Sequence, residues 1–211
     1  MKKLVAVMMA FLFVASAFSE DKIDHILVYK NERKMILLSK NQIIKEYNIA
    51  LSIAHNNPLF EMGPKRLRGD QRTPEGEYKI VKKRVKTGYP KSLLINYPNE
   101  KDIEWGKANG YSKNELGDLI LIHGFPYRPN SAVRNFVSKF GVEEDTLDSW
   151  LRDFFYPNFD WTNGCMAVTD EEMNEIFDLI EEGTPITIKR YENESRSHIP
   201  NHLEAYPISY Y

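Results

Sequence analysis

The chain has 211 residues, 42% of them hydrophobic and 27% charged, a globular composition that excludes general disorder. Its formal net charge of -2 gives duplex nucleic acid little electrostatic reason to bind, and no nucleic-acid partner is expected. The length suits one domain, or one domain carrying an insertion.

The first element is a targeting signal. Lys2 and Lys3 precede an apolar run from Leu4 to Val14 and the small residues Ala15-Ser16-Ala17, so residues 1–19 read as a cleaved secretory signal. The run is shorter than the roughly 20 residues that span a bilayer. An exported chain is expected, in the periplasm or cell-wall compartment, with no transmembrane helix in its mature part.

From Asp24 onward the pattern is that of a β-meander, with strands at Ile26–Tyr29, Met35–Leu38 and Ile43–Ile53 and polar turns at Asn31-Glu32 and Ser39-Lys40-Asn41. A long Gly/Pro-punctuated loop, Asn56–Gly76, leads into a strand at Tyr78–Val81. Further strands are expected at Ser92–Tyr97 and at Leu119–Ile122, the latter an uninterrupted apolar run ending in His123-Gly124. Residues 125–160 read as an insertion, with helices over Ser131–Phe140 and Asp145–Phe155 and an aromatic group that includes Phe154, Phe155, Tyr156, Phe159 and Trp161. Thr169 and Glu172 form a capping box for a helix whose Met173, Ile176, Phe177 and Ile180 share one face, and Gly183 is placed to end it. Pro185–Lys189 resumes a strand. The domain thus runs over 20–190, and 191–211 is a polar tail.

Cys165 is the only cysteine. In an exported chain an unpaired thiol is a buried small side chain, half of an intermolecular disulfide, or a nucleophile. A nucleophilic thiol needs a positive or basic group beside it, and His123, at the end of a rigid apolar strand, is the best placed histidine. His25 lies near the mature terminus, His55 in the long loop, and His198 and His202 in the tail. Gly164 permits unusual backbone beside the sulfur, and the N–H groups around Gly164 and Cys165 are candidates for an oxyanion hole.

Three motifs in order carry a resemblance: Thr73-Pro74-Glu75-Gly76, then Ile122-His123-Gly124, then Asp160-Trp161-Thr162-Asn163-Gly164-Cys165. Together they resemble the YkuD-type L,D-transpeptidase family, from about Asp24 to Lys189. The resemblance implies a mainly β fold with α elements, a β-sandwich or barrel with a helical insertion between the His and Cys motifs. It implies Cys165 as nucleophile and His123 as base, with Gly124, Thr162, Asn163 and Gly164 in supporting or oxyanion positions. The implied substrate is the peptidoglycan stem peptide, with no metal and no organic cofactor. Many relatives carry an arginine where this chain has Ala167, so a substrate contact is to be supplied elsewhere. Lys65, Arg66, Arg68 and Arg72 are the basic candidates, and Trp161 and Tyr156 are candidates to border the substrate cleft. Transfer to an amine, hydrolysis by an L,D-carboxypeptidase and a noncatalytic wall-binding role are the competing functions. The oligomeric state is not legible.

Overall fold

A computed structural model describes residues 22–52, 63–129, 134–135 and 138–192. The signal-like segment, residues 53–62 with His55, half of the helix expected over Ser131–Phe140 and the tail from residue 193 lie outside them. The meander is present: β1 (His25–Tyr29), β2 (Lys34–Ser39) and β3 (Gln42–Asn48) pair antiparallel in sequence. Lys40 and Asn41, both at positive φ (51° and 63°), form the two-residue turn between β2 and β3. That is the primed turn whose twist matches a hairpin.

The remaining strands extend the sheet from β1. β8 (Pro185–Lys189) lies parallel to β1 and antiparallel to β4 (Gly76–Val85), which is followed by β5 (Lys91–Ile95), β6 (Leu121–His123) and β7 (Met166–Ala167). The order is β3-β2-β1-β8-β4-β5-β6-β7. The chain beyond β3 then curls round to the far edge, where Ala50 and Ala167 exchange N–H···O bonds of 2.8 and 2.9 Å. The sheet is thereby bent into a barrel-like half-shell. This explains why the expected strand Ile43–Ile53 is divided: its first part pairs with β2, its second with β7.

Inside the shell Ile26, Val28, Leu37, Ile80, Leu93, Ile122, Met166 and Ile186 form one core with Met173, Ile176 and Ile180 from helix α4 (Asp170–Leu179) and the chain just after it. Burying each large apolar side chain contributes about 1.5–3 kcal/mol. Packing therefore outweighs the α4 capping box, worth about 1 kcal/mol, although that box is present as the sequence indicates. α4 (Asp170–Leu179) stops at Ile180, which is already extended, and Gly183 (φ 96°) instead turns the chain so that its N–H reaches the Ile80 carbonyl.

Two helices have no counterpart in the apolar periodicity. α1 (Glu100–Ala108) is capped by Asn99 and Asp102, and its sole buried residue is Gly106; α2 (Lys113–Leu116) is one turn. The insertion has its own small core of Phe125, Leu147, Leu151 and Tyr156. Its helix α3 (Glu144–Trp150) widens into a π turn over Leu151–Phe155 rather than continuing as α-helix. No helix among the described residues is long and apolar enough to cross a membrane.

Candidate active site

Ile122 and Met166 face each other in the parallel β6–β7 pairing, and both are fully buried in the core. Alternation along the strands turns His123 to the opposite face. Continued back one residue from Met166, it brings Cys165 to that same face. The two residues singled out from sequence therefore emerge from adjacent chain segments on one side of the sheet. The Cys165 thiol makes a weak donor contact with the Leu119 carbonyl at 3.6 Å. Leu119 itself is held at φ 58°, uncommon for a residue with a side chain. The apolar run before His123 thus enters β6 only at Leu121, its first two residues shaping the approach to the sulfur.

His123 is 0% exposed. Its Nδ1 lies 2.7 Å from the Gly124 carbonyl, which can only accept, so Nδ1 carries the proton and Nε2 the lone pair. Nε2 is buried without a hydrogen-bond partner among the described residues. Burial, opposed by the Gly124 carbonyl, pushes the imidazole down to about 4. Burial also pushes the Cys165 thiol up to about 11, against the Leu121 backbone and the charge of Lys65. At neutral pH both groups rest uncharged.

The residues around Cys165 fold for identifiable reasons. The Thr162 hydroxyl donates to the Cys165 carbonyl at 2.8 Å and accepts the Gly164 N–H at 3.3 Å, closing the turn that presents the sulfur. Trp161 and Thr162 N–H groups both reach the Leu51 carbonyl, and Asp160 receives the Leu51 N–H at 2.8 Å while pairing with Arg33 at 2.8 Å. Gly164 has φ 110°, and a Cβ there would stand 2.5 Å from the Arg72 carbonyl. This contact is where the Thr73-Pro74-Glu75-Gly76 segment meets the cysteine turn. Asn163 is exposed. Gly124 lies under the Asp170 carboxylate, whose Oδ1 accepts the Phe125 N–H at 2.8 Å and whose Oδ2 pairs with Arg152 of the insertion at 3.1 Å.

The basic candidates separate. Arg68 is 58% exposed and pairs with Asp118, and Arg66 lies over the Trp105 ring. One guanidinium nitrogen of Arg72 lies beside Gly63, 3.3 Å from where a Cβ on that residue would stand. The cation whose charge acts on Cys165 is Lys65, held by Asp70 at 2.8 Å and by the Leu67 carbonyl. Trp161 meets the His123 ring edge-on, centroids 5.5 Å apart, and its buried Nε1 has no hydrogen-bond partner among the described residues. Tyr156 packs against Trp161 at 4.4 Å and belongs to the insertion's core. A cavity of about 490 Å³ lies beside the insertion, with Arg33, Ala50, Tyr156, Phe159, Ala167 and Glu172 in its walls; His123 and Cys165 do not line it.

Three residues escaped the sequence reading. Tyr89 stacks on His123, Ser92 is the cross-strand partner of His123 and its buried hydroxyl has no hydrogen-bond partner among the described residues, and Lys30 is a buried lysine paired with Glu75. Tyr89 and Ser92 carry no local signal, since only the strand register brings them to the histidine. No group of His, Cys, Asp and Glu among the described residues is arranged to hold a metal.

Comparison with known proteins follows this geometry. The model of the YkuD family, the L,D-transpeptidase catalytic domain, matches residues 23–188. YafK of Escherichia coli (strain K12), a candidate L,D-transpeptidase by name, is 30% identical over 102 residues, 47% of this chain and 37% of YafK. The match thus spans little more than a third of that relative. Among solved structures, the helical cell shape determining protein Pgp2 of Campylobacter jejuni superposes with a TM-score of 0.50 at 20% identity, over 82% of this chain and 49% of Pgp2. Bd1075 of Bdellovibrio bacteriovorus gives 0.47 at 20% identity, over 82% and 50%. With the family model covering the whole sheet and both motif strands, the chain belongs to the YkuD family of L,D-transpeptidase catalytic domains.

Proposed function

We propose that this domain is an exported cysteine acyltransferase acting on peptidoglycan stem peptides, with Cys165 as nucleophile and His123 as its base. The observation that carries this reading is the state of His123: Nδ1 is committed to the Gly124 carbonyl, and Nε2, on the face shared with Cys165, is left buried with a lone pair that has no hydrogen-bond partner among the described residues. The thiol proton passes to Nε2, and the sulfur attacks the carbonyl at the L-centre of the stem's diamino acid. The imidazolium then protonates the departing D-amino acid, leaving a thioester on Cys165. An amine from a second stem resolves the thioester into a cross-link. Thr162, Gly164 and Gly124 act by fixing the two reacting residues, Trp161 by walling the imidazole, and Lys65 by favouring negative charge at the sulfur.

The test uses purified protein with tetrapeptide and dimeric muropeptides. A new 3-3 linked dimer, together with a mass adduct on Cys165 that is lost in Cys165→Ala, is the expected result. Release of tripeptide without dimer assigns the same nucleophile to an L,D-carboxypeptidase. Full turnover by Cys165→Ala overturns the mechanism, and peptidoglycan binding without turnover by either protein returns the domain to a wall-binding role. A cell-shape role of the kind named for Pgp2 is proposed as the biological consequence. It is read by microscopy of cells carrying Cys165→Ala.

A further inference from the structure

Tyr89 comes from the connection between β4 and β5, two residues before β5 begins. Its ring lies on the His123 imidazole with centroids 3.8 Å apart and planes 19° apart. For two neutral rings this near face-to-face placement is the least favoured one, because their quadrupoles repel; offset or edge-on packing is preferred. Trp161 adopts that edge-on arrangement on the same imidazole, at 62°. A cation over a ring face is attracted by the same quadrupole that repels a neutral ring. The Tyr89–His123 geometry therefore fits the protonated imidazole better than the neutral one.

Among the described residues, polar support for that charge comes from the Gly124 carbonyl; the Asp170 carboxylate lies over the neighbouring Gly124 but is engaged with the Phe125 N–H and Arg152. In Ser-His-Asp sites a carboxylate stabilises the imidazolium. Here the influences on His123 are burial and the Gly124 carbonyl, with no acidic side chain among them. Among the described residues, the titratable groups around the site are Cys165 itself, Tyr89, Tyr156 acting on Tyr89, Asp170 over Gly124 and, acting on Cys165, Lys65. From β5 the histidine meets Ser92, and from the turn before Cys165 it meets Trp161, neither of them charged. The Tyr89 phenol is kept neutral, burial first and then Cys165 and Tyr156 pushing it up to about 12.

We propose that Tyr89 is a positioning residue whose ring face stabilises the imidazolium formed when the Cys165 proton moves to His123 Nε2, so that the charge-separated pair is reached with no carboxylate bonded to His123 among the described residues. The inference rests on the reading of Cys165 and His123 as a reacting pair. No atom is gained or lost in the step: the S–H bond breaks, an Nε2–H bond forms, and the electron pair stays on sulfur.

The experiment needs no peptidoglycan. Alkylation of Cys165 by iodoacetamide is followed from pH 5 to 10 in the full chain, beside the titration of the His123 ring by NMR. Tyr89→Leu keeps the site covered and removes the ring face; alkylation near pH 7 should fall by about 2- to 30-fold, the range expected of one cation–π contact, and the His123 titration should move to lower pH. Tyr89→Phe and Tyr89→Trp, which keep a ring, should restore the wild-type rate to within about threefold. Should Tyr89→Leu fail to fold, Tyr89→Met takes its place, with near-ultraviolet dichroism as the check on folding. A wild-type rate and titration in Tyr89→Leu overturns the proposal, and so does a loss in Tyr89→Phe as large as in Tyr89→Leu, which would assign the effect to the hydroxyl. His123→Gln separates the two levels. If it leaves Cys165 alkylation unchanged, the Cys–His pairing itself is wrong; if it slows alkylation while Tyr89→Leu does not, only the role of Tyr89 is lost.

Discussion

The Asp170 carboxylate sits where a side chain on Gly124 would have to go. Asp170 is the first residue of α4, and it is not free to yield, because one oxygen holds the Phe125 N–H and the other holds Arg152. Gly124→Ala should therefore displace the carboxylate from both partners and cost about 1–3 kcal/mol, the range for overpacking with loss of a buried hydrogen bond. Thermal unfolding measures it. Asp170→Asn keeps the shape and weakens the Arg152 pairing, so the insertion should loosen, as hydrogen exchange at Leu147 and Leu151 would register.

Gly164 is constrained by backbone rather than by a side chain. Its φ of 110° and the Arg72 carbonyl 2.5 Å from a built Cβ leave no inexpensive relaxation. Gly164→Ala should lose about 2–4 kcal/mol from backbone strain and overpacking together. Gly88→Ala, also at positive φ but with nothing within 4 Å, should lose only about 1 kcal/mol. Urea titration of both variants checks the contrast, and equal losses would show that the Arg72 contact is immaterial.

Stability should depend on pH through the resting pair. His123 titrates near 4 when folded, against 6.5 for an ordinary imidazole. Between those values the unfolded chain binds a proton that the folded chain excludes, so stability rises with pH across about 4 to 6.5 and is lost on acidification. The full effect is of order 3 kcal/mol. Cys165 has the opposite arm: folded near 11 and ordinarily 9, it favours the folded state below 9, a contribution lost as pH rises toward 11. Urea unfolding of wild type and His123→Gln at pH 4.5 and 7 isolates the acid arm, whose slope should be smaller in the variant.

Lys30 is 1% exposed yet charged, donating to Glu75 at 2.9 Å, the Thr73 carbonyl at 2.8 Å and the Gly63 carbonyl at 3.3 Å. It ties β1 to the segment that carries Thr73-Pro74-Glu75-Gly76. Burial, only partly offset by Glu75, draws its pKa down. Lys30→Met should cost about 3 kcal/mol, the lower end for breaking a buried pair, because Glu75 keeps Arg190 at 3.5 Å. Lys30→Met with Glu75→Gln should recover part of the loss in thermal melts, as no buried charge is then stranded.

Much of the fold was legible because side-chain pattern and burial coincide. β1, β2 and β8 are short apolar runs bounded by turn residues, and α4 has both a capping box and an apolar stripe. α1 escaped because only Gly106 is buried in it, so it has no stripe; Asn99 with Asp102 three residues later was the available signal. In the candidate site, Cys165 and His123 stood out by chemistry and motif. Arg68 and Arg72 were named for charge, and charge near a motif does not say where a guanidinium points: Arg68 pairs with Asp118, and Arg72 places one guanidinium nitrogen beside Gly63. Tyr89 was hidden for the converse reason. It sits in a polar turn, and only the β5–β6 register carries that turn over the histidine.

The closure of the shell by Ala50 and Ala167 also limits how a peptide can approach. Strand-binding enzymes often take an extended peptide as an added strand on an open edge, and β7, two residues long at the end of the sheet, would be the natural edge beside Cys165. At Ala167 both the N–H and the carbonyl are already spent on Ala50. Ligand recognition next to the sulfur cannot proceed by lengthening the sheet through Ala167. It falls to side chains and loops above the strand ends, where substitutions can retune specificity without disturbing the hydrogen-bonded frame.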